Sequence, residues 1–206
     1  MSKGTAPGKP GAAPVRLNLG AGRDTLSGWV NVDQTALPGI DVIADLNRCR
    51  EVPLPFADAS VDDLRMYHVI EHLTEPLPLM QELHRIAKPG AKITIRTPYG
   101  SNDDAWTDQT HVRAYFLDSW GFFSQPYQWR SDTLYRGDWE PEEVTLAVDL
   151  QRFKGLTAEA ILQRINTDRN IVAEMEAVLR KVWPIRAARR DLQRPPRIII
   201  TDIPRS

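Results

Sequence analysis

The sequence predicts an α/β domain built on a mostly parallel sheet, and three observations predict it. Short β-friendly runs recur through the first hundred residues, and several of them stop at a Gly, Asp or His. One amphipathic helical pattern, closed by Lys88-Pro89-Gly90, separates two of these runs. Strand, turn, helix, strand in that order implies the crossover connection that parallel neighbours require.

Residues 1–14 are nearly all Gly, Pro, Ala, Ser, Thr and Lys, too polar and flexible to offset the cost of ordering, so a disordered tail is expected. The first strand is expected over 15–19, running into Gly20-Ala21-Gly22. Strands at 29–32, 41–44 and 63–67 follow, ending at Asp33, Asp45 and His68. A helix is expected over 73–87, because Leu77, Met80, Leu83, His84 and Ala87 fall at i, i+3 and i+4 spacings. Pro89 cannot continue it and Gly90 permits the turn. Residues 91–96 form the fifth strand.

Eight of the sixteen aromatics crowd into 106–129, where they either wall an acceptor site or pack onto the sheet. A strand is expected at 144–150. The stretch 157–183 reads as one long helix with Thr157 as its N-cap and Ile161, Ile165, Val172, Met175, Leu179 and Val182 on one stripe. It would be an appendage to the sheet, and packing or a homodimer contact would use its stripe. The β-branched run 197–201 is the last strand. The expected division is thus a tail over 1–14 and a single domain over 15–206. That domain has a core at 15–100, an acceptor-side region at 101–150, a helical insertion at 157–191 and a last strand at 197–202.

Composition excludes several classes. Twenty-six basic and 27 acidic residues with 42% apolar content are ordinary for a globular domain. No apolar run approaches the ~18 residues of a membrane span. Residues 1–14 lack the apolar stretch of a secretory signal. Cys49 is the only cysteine, which excludes an intramolecular disulfide and a cysteine-based zinc cage; a reducing cytoplasm is expected. From 180 to 206, eight basic residues face two acids, a pattern that reads as a solvated helix end before it reads as an anion-binding patch.

Ligands of parallel sheets sit beyond the carboxyl ends of the strands, which directs attention to Gly20–Gly22, Asp33, Asp45, His68 and 97–99. Gly-x-Gly lets a ligand approach the backbone closely, although a tight turn explains it equally well. Asp33 is placed to accept the two vicinal hydroxyls of a ribose. The sixth position from Gly20 is Thr25, so the dinucleotide fingerprint is absent, and no Gly-Lys-Ser/Thr of a phosphate loop follows. His68-x-x-Glu71-His72 matches an inverted zincin pattern, but a strand ending at His68 breaks the single helix that pattern needs. His111 is either a general base for a hydroxyl or, with Arg113, a brace for its loop.

Six blocks carry a resemblance: LNLGAG, GWVNVD, ADL…LPF…ASVDDL, YHVIEHL, ELHRIAKPGAKITIRTP and DQTHVRAYF, in order over residues 15–120. Together they resemble the class I S-adenosylmethionine-dependent methyltransferases, in particular the small type 11-like group. The resemblance implies a Rossmann-like, seven-stranded, mostly parallel sheet whose antiparallel last strand is 197–201. It implies S-adenosyl-L-methionine as cofactor, with Leu19, Gly20, Ala21 and Gly22 passing its methionine end. Asp33 would hold the ribose, Asp45 and Leu46 would flank the adenine, and Tyr67 and His68 would complete the site. His111, His68 and Asp108 would be the catalytic set. The stretch between Gly22 and Trp29 departs from the family, being too short for the usual first helix.

No metal is expected by this reading. Glu71, His72 and Asp108 are the alternative, by likeness to catechol-type members that hold a divalent ion near this position. The implied activity is methyl transfer to a small-molecule, glycan or carrier-bound metabolite acceptor, with oxygen favoured over nitrogen. The alternative is a catalytically silent partner protein working through its C-terminal helix. A nucleic-acid acceptor is disfavoured, since the Asn-Pro-Pro-Tyr or Asp-Pro-Pro-Tyr run of amino-methylating DNA enzymes is missing.

Overall fold

The computed structural model describes residues 13–203, so residues 1–12 of the expected tail lie outside the described residues. The described chain forms one eight-stranded sheet. Its strands are β1 (Arg16–Leu19), β2 (Val30–Asp33), β3 (Val42–Ile43), β4 (Val61–Tyr67), β5 (Ala87–Pro98), β6 (Trp139–Val148), β7 (Val172–Lys181) and β8 (Arg197–Asp202). They lie in the order β3-β2-β1-β4-β5-β7-β6-β8. The first five are parallel, β7 runs antiparallel to both β5 and β6, and β8 is parallel to β6. Three helices accompany the sheet: α1 (Pro76–Ile86), α2 (Asp104–Thr107) and α3 (Ala158–Thr167).

Two expectations need correction. The antiparallel strand is Val172–Lys181, and 197–201 supplies an eighth, parallel edge strand instead. The long helix over 157–183 does not exist. Its first part is α3, capped as expected by Thr157, whose hydroxyl accepts from the Ala160 N–H. The chain then turns at Asn170, in the left-handed region at φ 56°, and continues as β7. The reason is local: Met175, Ala177 and Leu179 alternate with Glu174, Glu176 and Arg180, a period of two that outweighs the coincidental helical stripe. Because β7 is hydrogen-bonded on both sides, it presents no helical surface to a second copy or a partner.

Strand register divides the sheet into two unlike faces. Leu17, Leu64, Ile93 and Leu179 align across four strands, with Leu19, Met66, Ile95, Ala177 and Val144 one row on, and all are buried. Leu79, Met80, Leu83 and Ile86 of α1 share that core, and the Trp139 indole N–H donates to the Met80 carbonyl at 2.9 Å. On the opposite face, Asn18, Arg65 and Thr94 form one row, and Tyr67, Arg96 and Glu176 form the next. The Tyr67 ring lies between two guanidinium groups, 4.0 Å from Arg65 and 4.3 Å from Arg96, and its hydroxyl donates to Glu176 at 2.7 Å.

The β1–β2 and β2–β3 connections contain no helix. The first is a loop tied to the polar face by two buried amides. Asn18 Nδ2 donates to the Asp24 carbonyl at 2.8 Å, and Asn31 Oδ1 accepts from the Leu26 N–H at 2.9 Å.

Four arginines of the C-terminal basic run are paired with acids within the chain. Arg180 pairs with Glu140 and Glu142, Arg189 with Asp191, and Arg197 with Glu143. Arg186 grips the fully buried Asp138 with Nε at 2.8 Å and Nη2 at 2.9 Å. Among the described residues no helix is long and apolar enough to cross a membrane.

Candidate functional site

A cleft of about 480 Å³ opens beyond the carboxyl ends of β1, β2 and β4, within the size range of small-molecule sites. Gly20, Asp33, Asp45, Leu46 and His68 line it, all of them expected there; Thr110 and His72 form another part of its wall.

The loop after β1 owes its shape to Gly20. Its φ of 64° lies in the left-handed region, and a Cβ there would sit 2.3 Å from Val69 Cγ2. The next residues tie the loop to β2: Ala21 N–H donates to the Val32 carbonyl at 3.0 Å, and Gly22 N–H donates to Asp33 Oδ2 at 2.8 Å. Asp33 Oδ1 accepts from the Thr35 N–H at 2.8 Å. A carboxylate offers about four acceptor positions. Two are used to fix its orientation, and one on each oxygen is left for a ligand. Asp45 Oδ1 accepts from the Asn47 N–H at 2.9 Å, capping the turn Leu46–Arg48 that sets Leu46 against the cleft.

Leu19, Ala21 and Gly22 support this loop without lining the cleft, Leu19 being wholly in the core. Tyr67 is a clear departure from expectation. Strand alternation sends its side chain to the polar face of the sheet, where it stacks with Arg65 and Arg96.

His68 follows β4 with φ 53° and stands half-exposed in the cleft wall. Its Nε2 is 3.3 Å from Glu174 and its Nδ1 is 3.5 Å from Glu71. The two carboxylates, Glu174 first, raise its pKa to about 9. With both nitrogens facing carboxylates, the ring presents no free acceptor nitrogen to the cleft.

His111 is not among the cleft-lining residues. Its Nδ1 donates to the Ala105 carbonyl at 3.2 Å, and its ring stands edge-on to His72 with centroids 4.7 Å apart. Asp108 shapes the same loop, its Oδ1 accepting from the Thr110 N–H at 2.8 Å and hydroxyl at 2.7 Å. Those hydrogen bonds hold its carboxyl below the usual range. The 106–129 aromatics divide: Tyr115, Trp120 and Phe123 are buried, whereas Trp106, Phe116, Phe122 and Trp129 are exposed.

Sequence reasoning did not single out Gln34, Asn47, Val69 or Thr110 as cleft residues. Thr110 had a signal, since it lies inside the DQTHVRAYF block. Glu174, the main partner of His68, had none once its segment was read as helix.

Comparison with known proteins bears on the same region. Residues 22–95 match the family described as a methyltransferase domain. A search of curated proteins returned no match. Among solved structures, an S-adenosylmethionine-dependent methyltransferase from Archaeoglobus fulgidus superposes with a TM-score of 0.54 at 16% identity, covering 82% of this chain and 86% of that one. The YcgJ protein from Bacillus subtilis gives 0.51 at 13% identity, covering 82% and 92%. The [4+2]-cyclase SpnF gives 0.50 at 13%, covering 82% and 76%. At these identities the likeness is one of fold, and a cyclase among the neighbours shows that the fold alone does not fix the reaction.

Proposed function

We propose, from the premise that this chain carries a methyltransferase domain on the class I Rossmann-like fold, that its cleft binds S-adenosyl-L-methionine and directs methyl transfer to an acceptor oxygen. The acceptor is a small molecule, a glycan or a carrier-bound metabolite. Asp33 carries this reading. Its carboxylate is held by two backbone N–H groups and keeps one acceptor position free on each oxygen at the cleft wall, as the two hydroxyls of a ribose require.

The other residues fit the same ligand. Gly20 keeps the backbone open to close approach, Leu46 offers an apolar surface to a base, and Asp45 has a second oxygen for a donor on that base. The cofactor, when bound, supplies a methyl group already activated on a positively charged sulfur. The protein's task is then alignment, which is worth up to ~7–11 kcal/mol in well-oriented reactions. His72 and Thr110 give the cleft a polar wall suited to a hydroxyl-bearing acceptor. The reading as a silent partner has lost its support, because the long C-terminal helix it relied on is a short helix and a central strand.

Thermal melts and calorimetric titration with S-adenosylhomocysteine test the proposal. At ~100 times the dissociation constant, binding stabilises the fold by about 2.7 kcal/mol. For a chain this size that is a rise in Tm of roughly 5–10 °C. Asp33→Ala is expected to weaken binding on the order of 10- to 100-fold, as loss of hydrogen bonds to a charged group predicts. No shift and no heat on folded wild-type protein would reject the cofactor. Unchanged affinity in Asp33→Ala would reject the ribose assignment alone.

A further inference from the structure

Burying a carboxylate without hydrogen bonds is costly, and such a group calls for whatever supplies its missing contacts. Glu71 is only 2% exposed, and among the described residues neither of its carboxylate oxygens has a hydrogen-bond partner. The His68 ring is the nearest basic group and stops at 3.5 Å, beyond ordinary hydrogen-bond length. Two histidines stand beside this carboxylate. One ligand atom each from Glu71, His72 and His111 lie within 4.8 Å of one another.

The hydrogen bonds of the two rings prepare them in the same way. His111 Nδ1 faces the Ala105 carbonyl at 3.2 Å, and a carbonyl only accepts, so the proton resides on Nδ1. His72 Nδ1 faces the Thr110 carbonyl at 3.3 Å and the Thr110 hydroxyl at 2.9 Å. Each ring is thereby left with Nε2 as its lone-pair nitrogen. Ligating histidines are characteristically oriented this way, with the other nitrogen donating to an oxygen.

We propose that Glu71, His72 and His111 form a binding site for a divalent first-row transition ion of the zinc class, at the edge of the cleft. Two imidazoles and one carboxylate are a donor set such ions accept, and the set leaves at least one coordination position open. Bond lengths of ~2.0–2.2 Å place tetrahedral ligands about 3.4 Å apart, so from separations of up to 4.8 Å the three atoms draw together by at most about 1.4 Å on binding. Asp108, with Oδ2 3.8 Å from His111 Nε2, stands near enough to serve as a further donor. The His68-x-x-Glu71-His72 pattern is thus used differently from an inverted zincin. His68 turns to Glu174, and the second histidine comes from the 108–113 loop. Since His72 also lines the cleft, the open position suits a hydroxyl or carboxylate oxygen of the acceptor; that last point alone rests on the proposed methyl transfer.

The test is titration of the full-length, chelator-treated protein with zinc by calorimetry and with cobalt(II) by visible absorption. One equivalent is expected to bind, with the absorption of four- or five-coordinate cobalt. Glu71→Gln and His111→Gln should each weaken binding at least tenfold, and His84→Gln, remote from the cluster, should leave it unchanged. Glu71→Gln carries a second readout: saturating zinc should raise the Tm of wild type and leave that of Glu71→Gln nearly unchanged. Absence of a binding equivalent in wild type, or affinity untouched by both substitutions, would overturn the site. None of these measurements includes the cofactor, so failure here is distinguishable from failure of the methyltransferase reading.

Discussion

Gly20 shows how much one residue decides at the cleft. Any side chain there meets two separate obstacles: a left-handed φ of 64° and a Cβ 2.3 Å from Val69 Cγ2. The backbone part costs ~1–2 kcal/mol and the overpacking part ~1–3 kcal/mol. Gly20→Ala should therefore lose about 2–5 kcal/mol in urea unfolding. Adding Val69→Ala should relieve the overpacking share and leave the backbone share. Gly22→Ala, with φ 51° and nothing within 4 Å of its Cβ, should lose only the backbone share. Equal losses at Gly20 and Gly22 would show that Val69 yields freely. The glycine pair was legible in the sequence because it ends a short β-friendly run, Val15–Leu19. Val69 was not, since nothing local links positions so far apart along the chain. Tyr67 departs for a related reason: the resemblance set it beside His68 in the site, but only the alternation of β4 tells which face a side chain takes.

At the scale of elements, the docking of α1 against the end of β7 is governed by a histidine. His84 is buried, its Nε2–H donating to the Val182 carbonyl at 3.1 Å and its ring edge-on to Trp139. Burial is the largest influence on it and pushes its pKa down to about 4. An unfolded histidine titrates near 6.5. Between those values the unfolded chain takes up a proton that the folded chain refuses, so this contribution is intact above pH ~6.5 and is lost as pH falls toward 4. At ~1.4 kcal/mol per unit the loss across the window is on the order of 3 kcal/mol. Denaturant melts from pH 7 to 4 should show it, and His84→Gln should flatten that part of the profile. An unchanged slope would mean that His84 is protonated in place. The inward position of His84 was legible from helical spacing in 73–87. The segment it docks against was not, because Met175 and Leu179, four residues apart, satisfy a helical stripe and a strand alternation at once.

At the scale of the whole molecule, the sheet is two-faced: one side packed with apolar side chains, the other closed over by its own charged and aromatic ones. The parallel half was legible because four of its five strands announce their ends with Gly20, Asp33, Asp45 or His68 at the cleft. The polar face was not, since Arg65, Arg96 and Glu176 become neighbours only once register is known. Hydrogen exchange should reflect this layout, with the slowest amides in β4, β5 and β7, each paired on both sides, and rapid exchange in the edge strands β3 and β8. Fast exchange throughout β7 would contradict its central place.

The edge strand β8 has one more consequence. Its Ile198-Ile199-Ile200 run, with one row of backbone groups unpaired among the described residues, is the part of this sheet most able to template a foreign strand into cross-β assembly. Pro195 and Pro196 block extension of the run on one side, and Arg197 and Asp202 bracket it with charge. These four residues are placed as gatekeepers, so their burden is colloidal: proline and charge at its two ends oppose addition of a foreign strand to the isoleucine edge.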